Sequence, residues 1–131
     1  MIMTLSEVKQ QVDILAAKIG APERLLPEYG SASMEAQPFI EIDANGQLYL
    51  LANERGKEIF RHIALNMDDL LYQVFSSITQ AMAVKYELVN RINGQYSRKV
   101  WFVEQERLLG ILNAEWKLKM HNRHQQLLKG N

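Results

Sequence analysis

The chain has 131 residues, and its composition of 47% hydrophobic and 23% charged side chains is close to the globular average, which argues against disorder. Fifteen basic and fifteen acidic side chains cancel, so the chain lacks the basic surplus that is typical of duplex-DNA-binding domains. The absence of cysteine excludes a disulfide scaffold and any thiolate chemistry.

The N-terminal part is predicted to form one amphipathic helix. Thr4 and Glu7 have the spacing of a capping box, and apolar side chains then recur at helical intervals. Gly20 favours a helix end, so the predicted helix covers residues 5–19. A long connection over 21–38 follows and holds all three prolines.

The next segments predict a three-stranded antiparallel meander. Asn45-Gly46 is a strong signal for a hairpin turn, and Gly56 allows a second tight turn after Glu54 and Arg55. The last strand has a mixed alternation, and a helix over 57–65 is the alternative. The three predicted strands are 39–42, 48–52 and 58–65.

The second half of the chain is predicted to be helical. Asn66 is expected to cap a long helix to about residue 92, whose wide apolar arc predicts neighbours on two sides. Further helices are expected over about 98–112 and from Asn113 onward. The predicted class is therefore α+β and mainly α-helical, with a three-stranded antiparallel meander packed against about four helices. The length predicts a single domain, 1–131.

Charged and polar residues within core-like segments form the candidate site. Glu87 and Arg91 are spaced as an i, i+4 ion pair and are expected on an outward polar stripe that could face a partner. Arg98 points to the buried side of its helix and needs a carboxylate or several carbonyls. Glu54 and Glu87 are the candidate partners, and such a pair would clamp the hairpin to the helices. Arg98 is either a structural clamp or a contact residue. The full partner-binding or structural network is Glu54, Arg55, Glu87, Arg91, Arg98 and Gln105.

Signals for catalysis, metals and cofactors are weak. His121 and His124 are spaced i, i+3, but no acidic residue lies at a suitable ligand offset on that helix. The chain has no dinucleotide-binding, phosphate-loop or nucleophile-elbow motif. We therefore expect no metal, no cofactor and no enzymatic activity. No apolar run approaches the roughly 18 residues of a membrane span, so no membrane association is expected.

Five short motifs follow one another in the chain: Tyr49–Gly56, Asp69–Tyr72, Tyr86–Arg91, Arg98–Lys99 and Phe102–Gln105. In this order they resemble the immunity protein 63 family of bacterial polymorphic-toxin systems. Leu26–Gly30 also resembles the N-terminal part of that family. The sequence departs from the family pattern at Tyr96, where aspartate is favoured, and at Lys99, where arginine is favoured.

The resemblance implies a mainly helical, cytoplasmic protein that binds and blocks a cognate toxin domain, without catalysis and without nucleic acid as a partner. A homodimer is possible, because the predicted sheet has edge strands. One alternative is a small-ligand or regulatory domain, with the 21–38 loop as a lid over a pocket lined by Tyr29, Tyr49 and Trp101. The other is a hydrolase that uses Glu54, Glu87 or His62.

Overall fold

The computed structural model describes residues 3–130, which adopt an α+β fold, as predicted. A single turn of 3-10 helix, Glu23–Leu25, lies in the connection between the first helix and the sheet. None of the helices within residues 3–130 has the length and apolarity needed to cross a membrane. The elements are α1 (Leu5–Ile19), β1 (Glu28–Tyr29), β2 (Phe39–Ile42), β3 (Leu48–Glu54), β4 (Lys57–Ala64), α2 (Met67–Val89), α3 (Arg98–Leu112) and α4 (Ala114–Lys129).

α1 begins and ends through the local signals that predicted it. The Thr4 hydroxyl accepts from the Glu7 backbone N–H at 3.2 Å, and the Glu7 carboxylate accepts from the Thr4 N–H at 2.9 Å, which satisfies two free donors of the first turn. Gly20 adopts a left-handed φ of 64° at the other end. The predicted range of 5–19 is confirmed.

The sheet has four strands in the order β1-β2-β3-β4 and is mixed, so the prediction of three antiparallel strands was one strand short. β2, β3 and β4 form the expected antiparallel meander, and β4 is a strand instead of the alternative helix. β1 pairs in parallel with β2, because the Glu28 N–H donates to Pro38 and the Gly30 N–H donates to Ile40. A two-residue strand of this kind is defined by its partner and has no periodicity of its own.

The core lies between one face of the sheet and the helices. Ile40 and Leu50 point from the sheet toward the N-terminal half of α2, where Leu70 and Phe75 are fully buried. Trp116 of α4 closes the other side, with its ring stacked on Phe75 at a centroid distance of 6.4 Å. α2 is therefore the central helix over its first half, with neighbours on two sides as predicted.

The second half of α2 differs from the prediction. The helix ends at Val89 instead of residue 92, and the expected apolar arc is open there: Leu88 is 58% exposed, Val89 71% and Ile92 69%. Between residues 80 and 90 only Ala83 and Glu87 are buried, and these lie one turn apart on the same side. The helical pattern was therefore right, but no second neighbour covers this end of the helix.

Leu70→Ala is expected to lower the free energy of unfolding by roughly 2–5 kcal/mol, because it leaves a cavity at a position with no exposed surface. Urea denaturation followed by circular dichroism measures the change. Leu118→Ala is the matched control, since Leu118 is 55% exposed on α4, and it should change stability by less than about 0.5 kcal/mol. Equal effects of the two substitutions would contradict this placement of the core.

Candidate functional site

A buried carboxylate, that of Glu87, links the end of α2 to the start of α3. Glu87 is 1% exposed, which corrects its predicted place on an outward polar stripe. Arg91 Nε donates to both carboxylate oxygens at 3.2 Å, and the Ser97 backbone N–H donates to Oε2 at 3.0 Å. Burying a charge is costly unless it is paired and hydrogen-bonded, and these three contacts provide both.

Glu87 also supports the start of α3. Ser97 is the N-cap residue of that helix, but its own side chain makes no capping hydrogen bond. The Glu87 carboxylate accepts from the Ser97 N–H instead and places negative charge at the positive end of the helix. The turn between them is tight, with left-handed φ angles of 54° at Asn93 and 70° at Gly94. One side chain thus joins two helices across the whole connection.

Arg91 and two aromatic residues extend this arrangement to the surface. The Arg91 guanidinium lies 5.6 Å from the centroid of the Tyr96 ring, in cation–π contact. The Tyr96 hydroxyl accepts a hydrogen bond from Trp101 Nε1 at 2.9 Å. Arg91 is therefore held from two sides, by Glu87 and by Tyr96, while its side chain stays one-third exposed.

Exposed apolar side chains lie close to this arginine in the sequence. Leu88 and Val89 come from the open end of α2, and Ile92 and Tyr96 come from the α2–α3 connection. Lys85 precedes Val89 by one helical turn and is also exposed. We call this the junction surface, and it consists of Lys85, Leu88, Val89, Arg91, Ile92 and Tyr96.

A second polar network lies inside the helical layer and is centred on Gln105. Gln105 is buried, as its helical position predicted, and its Nε2 donates to the Ser76 carbonyl at 2.9 Å and lies 3.3 Å from Thr79 Oγ1. Its Oε1 lies 3.0 Å from Nε2 of the buried His124. Gln105 therefore joins all three C-terminal helices through one amide group.

His124 shares a carboxylate with His121. Its Nδ1 lies 2.7 Å from Glu106 Oε2, and His121 Nδ1 lies 2.8 Å from Glu106 Oε1. The prediction considered only carboxylates on the same helix, whereas Glu106 comes from α3. Nevertheless, within residues 3–130 no group of three or more His, Cys, Asp or Glu side chains is arranged to hold a metal ion.

The protonation state of His124 is set by opposing effects. Burial lowers the pKa of His124, and the Glu106 carboxylate opposes that shift, while Arg123 and His121 act in the same direction as burial. The neutral ring donates to only one of its two acceptors, Gln105 and Glu106, whereas the charged ring would donate to both. The ring also stacks on Phe102 at a centroid distance of 3.9 Å, which fixes its plane.

Arg98 does not make the predicted ion pair with Glu54 or Glu87. It is half-buried, donates from Nη2 to the Leu127 carbonyl at 3.3 Å, and lies over the Phe102 ring at 5.9 Å. Its partner is therefore the C-terminal turn of α4, where cations are favoured by unpaired carbonyls. The expected clamp between hairpin and helices is in fact a contact between α3 and α4.

Glu54 and Arg55 lie apart from the other predicted site residues. Both are exposed at the β3–β4 turn, where the Arg55 backbone N–H donates to Glu35 Oε2 at 2.7 Å. The structure therefore divides the predicted network into the β3–β4 turn, the Glu87–Arg91 pair, and the α3 residues Arg98 and Gln105. The three hydrolase candidates have no partner in common: His62 contacts Asp69 at 3.0 Å, Glu87 pairs with Arg91, and Glu54 is exposed.

An open cavity of about 440 Å³ lies between the sheet, α2 and α4. Its lining includes the polar side chains Gln73, Ser77 and Gln80 of α2 and the aromatic side chains Phe60 and Trp101. The predicted ligand pocket shares only Trp101 with this cavity, because Tyr29 and Tyr49 do not line it. The predicted lid contributes the residues Leu25, Pro27 and Pro38 to the lining.

Comparison with known proteins returns one family. A family model described as immunity protein 63 matches residues 44–126, which is more than half of the chain. The match runs from the β2–β3 hairpin into α4, contains the junction surface and confirms the resemblance seen in the motifs, although Leu26–Gly30 lies outside it. No curated protein and no solved structure matches the chain.

Glu87→Ala is expected to lower the free energy of unfolding by roughly 1–3 kcal/mol, because the Ser97 N–H and the Arg91 guanidinium lose a buried acceptor. Chemical denaturation measures the loss. Glu58→Ala serves as control, since Glu58 forms an exposed pair with Arg61, and it should leave the unfolding midpoint nearly unchanged. A neutral effect of Glu87→Ala would show that the carboxylate does not stabilise the junction.

Acidification is expected to destabilise the protein through His124. Because burial lowers the pKa of His124 in the folded state, the unfolded chain binds the proton more readily, and the free energy of unfolding falls as the pH drops below about 6.5. His124→Gln should flatten this dependence between pH 7.5 and 5, measured by urea denaturation at each pH. A pH dependence that stays as steep in His124→Gln would assign the effect to another titratable group.

Proposed function

The chain belongs to the immunity protein 63 family, and we propose on this basis that it neutralises a cognate bacterial toxin domain by stoichiometric binding, with no catalysis of its own. The family match is the observation that carries the proposal. The geometry supports it, because Glu87 and His124, the buried titratable groups, are engaged in hydrogen bonds that join helices. Such contacts suit a rigid binding scaffold.

The predicted site residues receive different roles in this proposal. Glu87 and Gln105 support the helical layer from inside, and Arg98 braces α3 against the end of α4. Arg91 is the member that both belongs to the support and reaches solvent, so we assign it to partner contact. Glu54 and Arg55, exposed at the β3–β4 turn, are a separate candidate contact.

The cellular setting is part of the same proposal. We place the protein in the bacterial cytoplasm, because a toxin domain that acts there has to be blocked there. We also take the chain, 1–131, as a single domain. The homodimer stays a prediction. The best candidate for the dimer contact is β4, an edge strand of the sheet, which exposes Ile59, Phe60 and Ile63.

A small-ligand or regulatory function is the second candidate, and the cavity of about 440 Å³ favours it. That volume is in the range of ligand sites, and the polar side chains in its lining could orient a bound molecule. The cavity is open and is bordered by the edge strand β4, so a segment of a protein partner could occupy it equally well. The family match favours the protein partner.

Co-expression tests the proposed function. The cognate toxin domain is first sought in the gene immediately upstream. Cells that produce it are expected to survive only when this chain is also produced, and titration calorimetry should give one chain bound per toxin domain. An inactive toxin variant controls for the burden of expression. Death of cells that contain the folded chain at equal or higher level would contradict neutralisation by binding.

A further inference from the structure

We propose that the junction surface is the face that receives the toxin domain, and that it fits an acidic protein surface with an apolar centre. This inference rests on the proposed function and adds to it the location and the chemistry of the contact.

The charge of this end of the molecule is one-sided. Residues 81–103 carry four basic side chains, Lys85, Arg91, Arg98 and Lys99, and one carboxylate, Glu87. That carboxylate is buried and paired with Arg91, so the net positive charge of this segment comes from Lys85, Arg98 and Lys99. Because the whole chain has zero net charge, the remainder is acidic, and the basic end is a local feature. A basic surface attracts and orients an acidic one.

The composition of the junction surface is that of a protein contact. Leu88, Val89 and Ile92 are each more than half exposed, and Tyr96, which contacts Arg91, is 60% exposed. Contiguous apolar residues rimmed by charge mark interaction sites, and tyrosine and arginine are the residue types enriched at the energetic centres of interfaces. Aliphatic side chains give no hydrogen bond to a phosphate, so this mixture favours an acidic protein over a nucleic acid.

Arg91 is already in position before any partner binds. Two hydrogen bonds to Glu87 and the contact with Tyr96 restrict its side chain, and Tyr96 is itself hydrogen-bonded to Trp101. Ordering a long side chain at an interface normally costs free energy, and a side chain held in advance avoids much of that cost. The Glu87–Arg91 pair therefore lowers the free-energy cost of ordering Arg91 when a partner binds.

Paired substitutions test the charge. Lys85→Glu combined with Lys99→Glu should weaken binding of an inactive toxin domain at least about tenfold, mainly through a slower association rate that depends less on salt. Lys18→Glu, at an exposed lysine of α1, is the matched control and should change affinity by less than about twofold. Surface plasmon resonance at several salt concentrations measures both rates.

Substitution of apolar residues tests the centre. Val89→Ser should accelerate dissociation of the same complex, whereas Ile14→Ser, at a similarly exposed aliphatic position of α1, should not. Circular dichroism melts check that the variants remain folded, which is expected because every altered side chain is exposed.

The outcomes separate this inference from the proposed function. If the wild-type chain fails to bind the toxin domain, the proposed function falls, and this inference falls with it. If the wild-type chain binds and the Lys85/Lys99 and Val89 variants bind equally well, only the assignment of the toxin contact to the junction surface is wrong. A single-stranded DNA oligonucleotide is the alternative ligand in this test. If the wild-type chain binds the oligonucleotide and the lysine variants do not, while toxin binding stays intact, the basic surface belongs to nucleic acid and the inference is overturned.

Discussion

A carboxylate taken out of water at the end of a helix has to be surrounded by donors, and the α2–α3 connection is built to supply them. Glu87 draws in the side chain of Arg91 and the backbone of Ser97, and so sets where α2 stops and α3 starts. Removing either donor would leave a buried charge that is only partly compensated. The orientation of α3, and through Gln105 the seating of α4, depends on this junction and on the core beneath it.

The same constraint has a functional side. A buried acid that neutralises the arginine above it would leave a neutral surface, but three further basic side chains on the same end keep it positive. The internal network therefore rigidifies the surface without removing its charge. A binding protein gains from this arrangement, since affinity depends on pre-organisation and charge complementarity more than on area alone.

Sequence signals predicted the helices and strands well where the stabilising interactions join residues that are close in the chain. The capping box at Thr4, the Asn66 cap and the helical spacing of apolar residues in α1 and α3 all act within a few residues. The burial of Glu87 could not be predicted in this way, because a helical wheel identifies faces but not which face has a neighbour. β1 and the Glu106–His124 contact depend on residues that are distant in sequence, so no local pattern predicts them.

The hydrogen bond from Ser97 to Glu87 also couples the motions of two helix ends. Helix termini usually fray independently, and their amide hydrogens exchange with solvent one by one. Here the last turn of α2 cannot loosen without releasing the cap of α3, because both use the same carboxylate. We therefore expect the segment from Glu87 to Ser97 to open as one cooperative unit, with amide protection that reports a single local equilibrium.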